Sequence, residues 1–189
     1  MEVSSLATLS RTFPLARGTT LVQTFWISTF AILTAVGAQI EIPHQPVPYT
    51  FQTLFVLLAG ALLGPRNGFI SMAMYLTLGV LGIPAFAGAG FGLARILGPT
   101  GGYLLAFPLA AFVVGSLVPL RAHFVWTLFS MFVGLLVIFS IGTVQLNFVY
   151  FRDWNAAFQA GFLIFSWWDL LKLSAAAAIY RQLTGGWKR

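Results

Sequence analysis

Cysteine is absent from the 189 residues, so neither a disulfide framework nor a thiolate metal site can be built, and the redox compartment leaves no trace. Acidic residues are scarce as well: four Asp and Glu stand against ten Lys and Arg, and charged residues make up only 7% of the chain. A soluble globular domain carries roughly 25% charged residues, and a fold with so few could not cover itself in water. The two histidines, His44 and His123, are far apart, and no His-Glu-x-x-His, Walker A or serine-elbow pattern occurs. Gly88, Gly90 and Gly92 have the look of a dinucleotide loop, but Leu93 stands where the third glycine belongs and no strand precedes it. These absences argue against ATP hydrolysis, metal catalysis and proteolysis, and no enzyme, metal or cofactor is expected. The net charge of +6 does not point to nucleic acid either, because the basic residues are scattered singly and form no stripe.

What fills the sequence is hydrocarbon. Hydrophobic residues make up 59% of the chain, mean hydropathy is +0.90, and the apolar residues gather into runs of membrane-spanning character. The runs are Leu21 to Ala38, Phe51 to Gly64, Gly68 to Val80, Gly101 to Leu120, Phe124 to Val144 and Ala156 to Tyr180. The second and third are short and suit tilted or internally packed helices. The last is interrupted by Ser166-Trp167-Trp168-Asp169, which predicts a bend near Ser166 and a helix beginning with Asp169 as its N-cap. Between the runs lie a proline-rich connection at 43–48, which cannot be helical, and a Gly/Pro-rich linker from Gly82 to Gly102. The expected fold is an all-α integral membrane protein, a compact bundle of six transmembrane helices with irregular outer loops. One membrane domain covers 1–189: a cytoplasmic or interfacial amino-terminal segment at 1–20, the bundle at 21–183 and a cytoplasmic tail at 184–189, where Gly185-Gly186 reads as a helix stop.

Loop charges set the expected orientation. Arg11, Arg17, Arg66, Arg121, Arg181, Lys188 and Arg189 fall on one side, and only Arg95 and Arg152 on the other. The positive-inside rule then places both termini in the cytoplasm, and the proline loop, the glycine linker and the Arg152-Asp153 loop on the outer face of the cell membrane. The two most irregular loops thus share a side, where they can line a cavity. Small-xxx-small pairs at Gly60/Gly64 and Ala31/Ala35 allow close helix approach, either inside the bundle or against another membrane subunit.

The residues that carry chemistry are the ionisable ones in apolar surroundings, since burying a charge in lipid costs roughly 2.5 to 3.5 kcal/mol even on the mild insertion scale. Asp169 and Lys172, spaced i,i+3, share a helix face. They are either a structural ion pair or a clamp in which a carboxylate accepts from ligand N–H groups while an ammonium donates to a ligand carbonyl. Arg95, alone among glycines, either snorkels to lipid phosphate or binds a ligand carboxylate. Tyr103, Phe86, Trp167 and Trp168 adjoin these segments and can wall a pocket, or, for the tryptophans, sit in an interfacial belt.

Three segments resemble the BioY family, the biotin-binding S components of energy-coupling-factor (ECF) vitamin transporters. Pro46-Val47-Pro48-Tyr49-Thr50-Phe51-Gln52 is similar to its Pro-Val-Pro-x-Thr-x-Gln loop, and Gly82-Ile83-Pro84-Ala85-Phe86-Ala87-Gly88 to its Gly-x-Pro-x-Phe-x-Gly turn. Gly98-Pro99-Thr100-Gly101-Gly102-Tyr103-Leu104 resembles its Gly-Pro-Thr-Gly-Gly-Tyr-Leu, and Asp169-Leu170-Leu171-Lys172 matches part of its Gly-Asp-Leu-x-Lys corner, with Trp167-Trp168 in place of the usual Pro-Gly. The resemblance implies a high-affinity biotin-binding membrane subunit, with Asp169, Lys172, Arg95, Tyr103, Phe86 and Gln52 as ligand contacts. It also implies that energy comes from separate subunits, a transmembrane coupling protein and two ATPases. An S component for another vitamin, or a structural or channel-forming membrane protein, are the competing readings.

Overall fold

The computed structural model describes residues 15, 18–163 and 167–185; the expected amino-terminal segment and most of the tail lie outside them. Helix α1, Thr20–Gln39, leads into a short antiparallel ribbon of β1, Glu41–Ile42, and β2, Tyr49–Thr50, which pairs Glu41 with Thr50 and Ile42 with Tyr49. The proline-rich segment is the turn of that ribbon, as residues without donors require. Helix α2, Gln52–Val80, is continuous by hydrogen bonding but not straight, because Gly64 has φ 79° and ψ 176°. The Gln52 amide donates to the Tyr75 hydroxyl, 23 positions further along; in a straight helix these residues would lie roughly 34 Å apart. A Cβ added to Gly68 would stand 3.0 Å from the Gly60 Cα. The chain therefore doubles back at Gly64. Glycine takes the positive φ without penalty, and Pro65, whose missing donor costs nothing at a first helical position, opens the returning arm.

Within 82–102 the expected linker contains a 3₁₀ turn at Ala87–Ala89 and the short helix α3, Leu93–Leu97. Helix α4, Gly101–Leu117, crosses next, followed by α5, Phe124–Leu146, which runs on as a π-helical turn at Asn147–Phe151. The short α6, Trp154–Ala157, capped by the Asp153 carboxylate accepting from the Asn155 N–H, passes into a second π turn at Phe158–Phe162. Helix α7 is Trp167–Leu183. The described helices on either side of the expected bend, Trp154–Phe162 and Trp167–Leu183, lie at 47° to each other, and Ser166 itself is outside the described residues. The expected cap is not present: α7 has begun by Trp167, so Asp169 lies in the first helical turn. There its carboxylate still favours the positive helix end. At the other end Gly185, with φ 77°, takes the left-handed stop position.

Among the described residues four helices are long and apolar enough to cross a membrane, and the bent pair makes a fifth. The apolar stretches number six, in the expected order, once the two arms of α2 are counted separately. At 1.5 Å per residue those arms reach only about 18 and 24 Å, short of a roughly 30 Å hydrocarbon core. They are accordingly interior elements, with 61% of the α2 window buried against 28% for α1.

Backbone contact replaces side-chain contact at the centre. A Cβ on Gly60 would overlap the Ala111 carbonyl, and one on Gly115 would press on Pro65 and Gly64, so α2 and α4 meet at their main chains. The Gly60 pair thus packs within the bundle. Ala31 is likewise fully buried among the chain's own residues, so it is not on an outward docking face; α1 turns Leu21, Phe25, Ile32 and Val36 outward instead.

Candidate functional site

The three irregular loops do converge on one end of the bundle. The proline loop, the glycine linker and Tyr150, beside the Arg152-Asp153 turn, border an outer chamber of about 580 Å³ that is open to the surface. Beneath it is a smaller cavity of about 80 Å³, lined by Gln52, Phe86, Arg95, Tyr103, Asp169 and Lys172 together with Thr50, Thr53, Phe107 and Phe139. All six candidate residues, drawn from positions 52 to 172, border this one space. Trp168 does not border it and packs instead on Phe51, ring centroids 6.4 Å apart, while Trp167 is exposed.

One end of the inner cavity is polar. Asp169 and Lys172 are both almost wholly buried and form an ion pair, Lys172 Nζ to Asp169 Oδ1 at 2.8 Å. The same ammonium donates to the Thr50 carbonyl at 2.8 Å, tying α7 to the ribbon that carries the proline loop. Two buried charges are tolerated because each offsets the other's desolvation, and Lys172 retains a third donor hydrogen. Next to them the Thr50 hydroxyl donates to Gln52 Oε1 at 2.8 Å, and the Gln52 amide donates to Tyr75. Thr50, Thr53 and Tyr75 escaped sequence reasoning. Hydroxyls of Thr34, Thr77 and Ser130 each donate to the carbonyl four residues back. Thr53, in the first turn of its helix, is buried with no such partner, which no sequence pattern reveals.

The walls are aromatic, and glycines make room for them. Phe86 is buried with its ring where a Gly79 side chain would be, edge-on to Tyr75 at 5.6 Å. Its backbone exchanges two hydrogen bonds with Gly90. Gln39 holds the same turn, donating to the Phe86 carbonyl at 3.1 Å and accepting from the Ala89 N–H at 2.9 Å. Tyr103 occupies the space left by Gly142, lies edge-on to Phe139 at 6.2 Å, and donates to the Gly161 carbonyl at 2.9 Å. The Gly98 to Tyr103 segment is fixed from α5: Gln145 donates to the Ile96 and Gly98 carbonyls at 2.7 and 2.9 Å, and neither Gly101 nor Gly102 has room for a Cβ.

Arg95 sits on α3 at the junction of the two chambers and borders both, along with Pro48, Ala87 and Thr100. Its guanidinium lies over Gly90 and has no ion pair among the described residues. The site is therefore a buried donor and acceptor pair at one end, apolar walls between, and a cation at the mouth. That arrangement suits a small ligand with a polar amide-like head, a greasy body and an anionic end.

Comparison with known proteins gives concordant matches. The model of the BioY family matches residues 10–189. The chain is 44% identical to the Biotin transporter BioY of Thermotoga maritima over 82% of this chain and 90% of that protein. It is 47% identical to the Probable biotin transporter BioY of Pyrococcus horikoshii, over 84% and 94% respectively. In fold it resembles the crystal structure of the S component for biotin from an ECF-type ABC transporter, with a TM-score of 0.81 and 24% identity, covering 89% of this chain and 95% of that one.

Proposed function

The chain belongs to the BioY family, and we propose that it is the membrane-embedded subunit that binds biotin for uptake. It is a multi-pass membrane protein of transporter kind, not an enzyme. The observation that carries the reading is the single cavity bordered by Asp169, Lys172, Gln52, Phe86, Tyr103 and Arg95. Biotin presents two ureido N–H donors and one carbonyl, an apolar bicycle and chain, and a terminal carboxylate. Asp169 accepts from the ureido N–H groups and Lys172 donates its remaining hydrogen to the ureido oxygen. Phe86 and Tyr103 flank the bicycle, Gln52 orders the polar end, and Arg95 receives the carboxylate.

The inner cavity, at about 80 Å³, is smaller than the roughly 300 Å³ at which small-ligand pockets begin. Entry therefore requires the proline loop to move outward, and biotin fills the inner space with its carboxylate end at the mouth. The chain carries no nucleotide motif, so uptake draws on a separate ECF module, a transmembrane coupling protein with two ATPase subunits. Both termini face the cytoplasm. Arg66 and Arg121, with Arg181 stacked on the Phe124 ring at 5.3 Å, belong to the end opposite the chambers, which supports this orientation.

Equilibrium titration of the purified chain with biotin tests the reading. Saturable binding that riboflavin and thiamine do not displace is expected, with Arg95→Gln weakening biotin more than biotin amide. Absence of saturable biotin binding, or displacement by either other vitamin, overturns it.

A further inference from the structure

The outer chamber is more than a passage. It is several times larger than the inner cavity and carries two opposite charges, Glu41 from β1 and Arg95 from α3. Neither residue has an ion pair among the described residues, and both line the same space. The Glu41 carboxylate lies beside Gly88, where a Cβ would stand 3.4 Å from Oε1, at the foot of the proline loop. A chamber presenting one separated cation and one separated anion is complementary to a zwitterion, each pole of which receives a charge-assisted hydrogen bond.

We propose that the outer chamber is a second recognition site for the amino-acid end of biotin amides, above all biotin joined to the side-chain nitrogen of lysine. The inference rests on the ureido-inward orientation proposed above. With the bicycle in the inner cavity, the valeryl carbonyl reaches the junction at Arg95, and everything attached beyond it enters the outer chamber. A lysyl extension supplies a four-carbon stem ending in an ammonium and a carboxylate. Glu41 takes the ammonium, and Arg95, relieved of the biotin carboxylate now tied up as an amide, takes the lysyl carboxylate. Such conjugates are what proteolysis of biotinylated proteins releases, so the chain would salvage bound as well as free vitamin.

Competition titrations on the full purified chain in nanodiscs decide the matter, with biotin, ε-N-biotinyl-lysine and biotin methylamide as ligands. Biotinyl-lysine is expected to bind within about tenfold of biotin, and the methylamide, which has no anionic end, at least tenfold more weakly than either. Glu41→Gln should weaken biotinyl-lysine about tenfold and leave biotin unchanged. If biotin binds but biotinyl-lysine does not compete at a thousandfold excess, or if Glu41→Gln affects both ligands alike or neither, the second site is refuted while the biotin reading stands. If the wild-type chain fails to bind biotin at all, the biotin reading falls first and this inference with it.

Discussion

Removing charge from the Asp169 and Lys172 pair one residue at a time and then together separates a structural ion pair from a ligand clamp. In the unliganded protein the pair is made, 2.8 Å apart and almost wholly out of water. Asp169→Asn leaves the Lys172 ammonium with the Thr50 carbonyl and no counter-charge; Lys172→Met removes the cation from beside the buried carboxylate. Breaking a buried pair from one side typically costs about 3 to 5 kcal/mol, whereas replacing both members is often close to neutral. Thermal unfolding in detergent should therefore show two destabilised single mutants and a double mutant, Asp169→Asn/Lys172→Met, near wild type. Binding should follow a different rule. In the proposed clamp each charge also makes a hydrogen bond to biotin, worth about 1.5 to 3 kcal/mol, so each single substitution should raise Kd by roughly 10- to 150-fold. The double mutant, though stable, should bind worse than either. Calorimetric titration and melting of the same three preparations give both quantities. A double mutant that melts and binds like wild type would refute the clamp, since the pair would then serve folding alone; one that is stable and blind to biotin supports it.

Two further outcomes follow from packing and topology. Gly79→Ala puts a methyl group where the Phe86 ring lies, so the ring should be driven into the inner cavity; biotin affinity should fall at least tenfold alongside a loss of about 1 to 3 kcal/mol in stability from overpacking. Unchanged affinity in a folded Gly79→Ala protein would mean that Phe86 does not wall the ligand space. For topology, an epitope tag at either terminus should be reached by antibody only after the membrane is permeabilised, and labelling of either on intact cells would reverse the proposed orientation.

Membrane residence and the order of the apolar stretches were legible in the residues alone, because the bilayer sorts segments by local hydropathy and each helix satisfies its own backbone. The break between the second and third runs was legible as well, since proline at residue 65 leaves few alternatives. Asp169 and Lys172 stood out as candidates in the same way, because a charge in a run of Leu, Trp and Ala is too costly to be incidental, whereas Gln52 was named only through the family resemblance. The direction of each helix face was not legible. Lipid and bundle interior are equally apolar, so a helix such as α1 shows no polar stripe, and only packing revealed that Ala31 points in and Phe25 out. The same holds for Thr50, Tyr75, Gln39 and Gln145, ordinary residues in sequence that become supports of the site through contacts 23 to 122 positions away. The helix start at Trp167 rather than Asp169 belongs with them. Sequence thus determined which residues could not be left in lipid without a partner, through the energy of burying each one. Only the tertiary structure decided which partner each received and that Arg95 stands between two chambers, because those depend on distances that close when α2 folds back at Gly64 and α7 meets the ribbon.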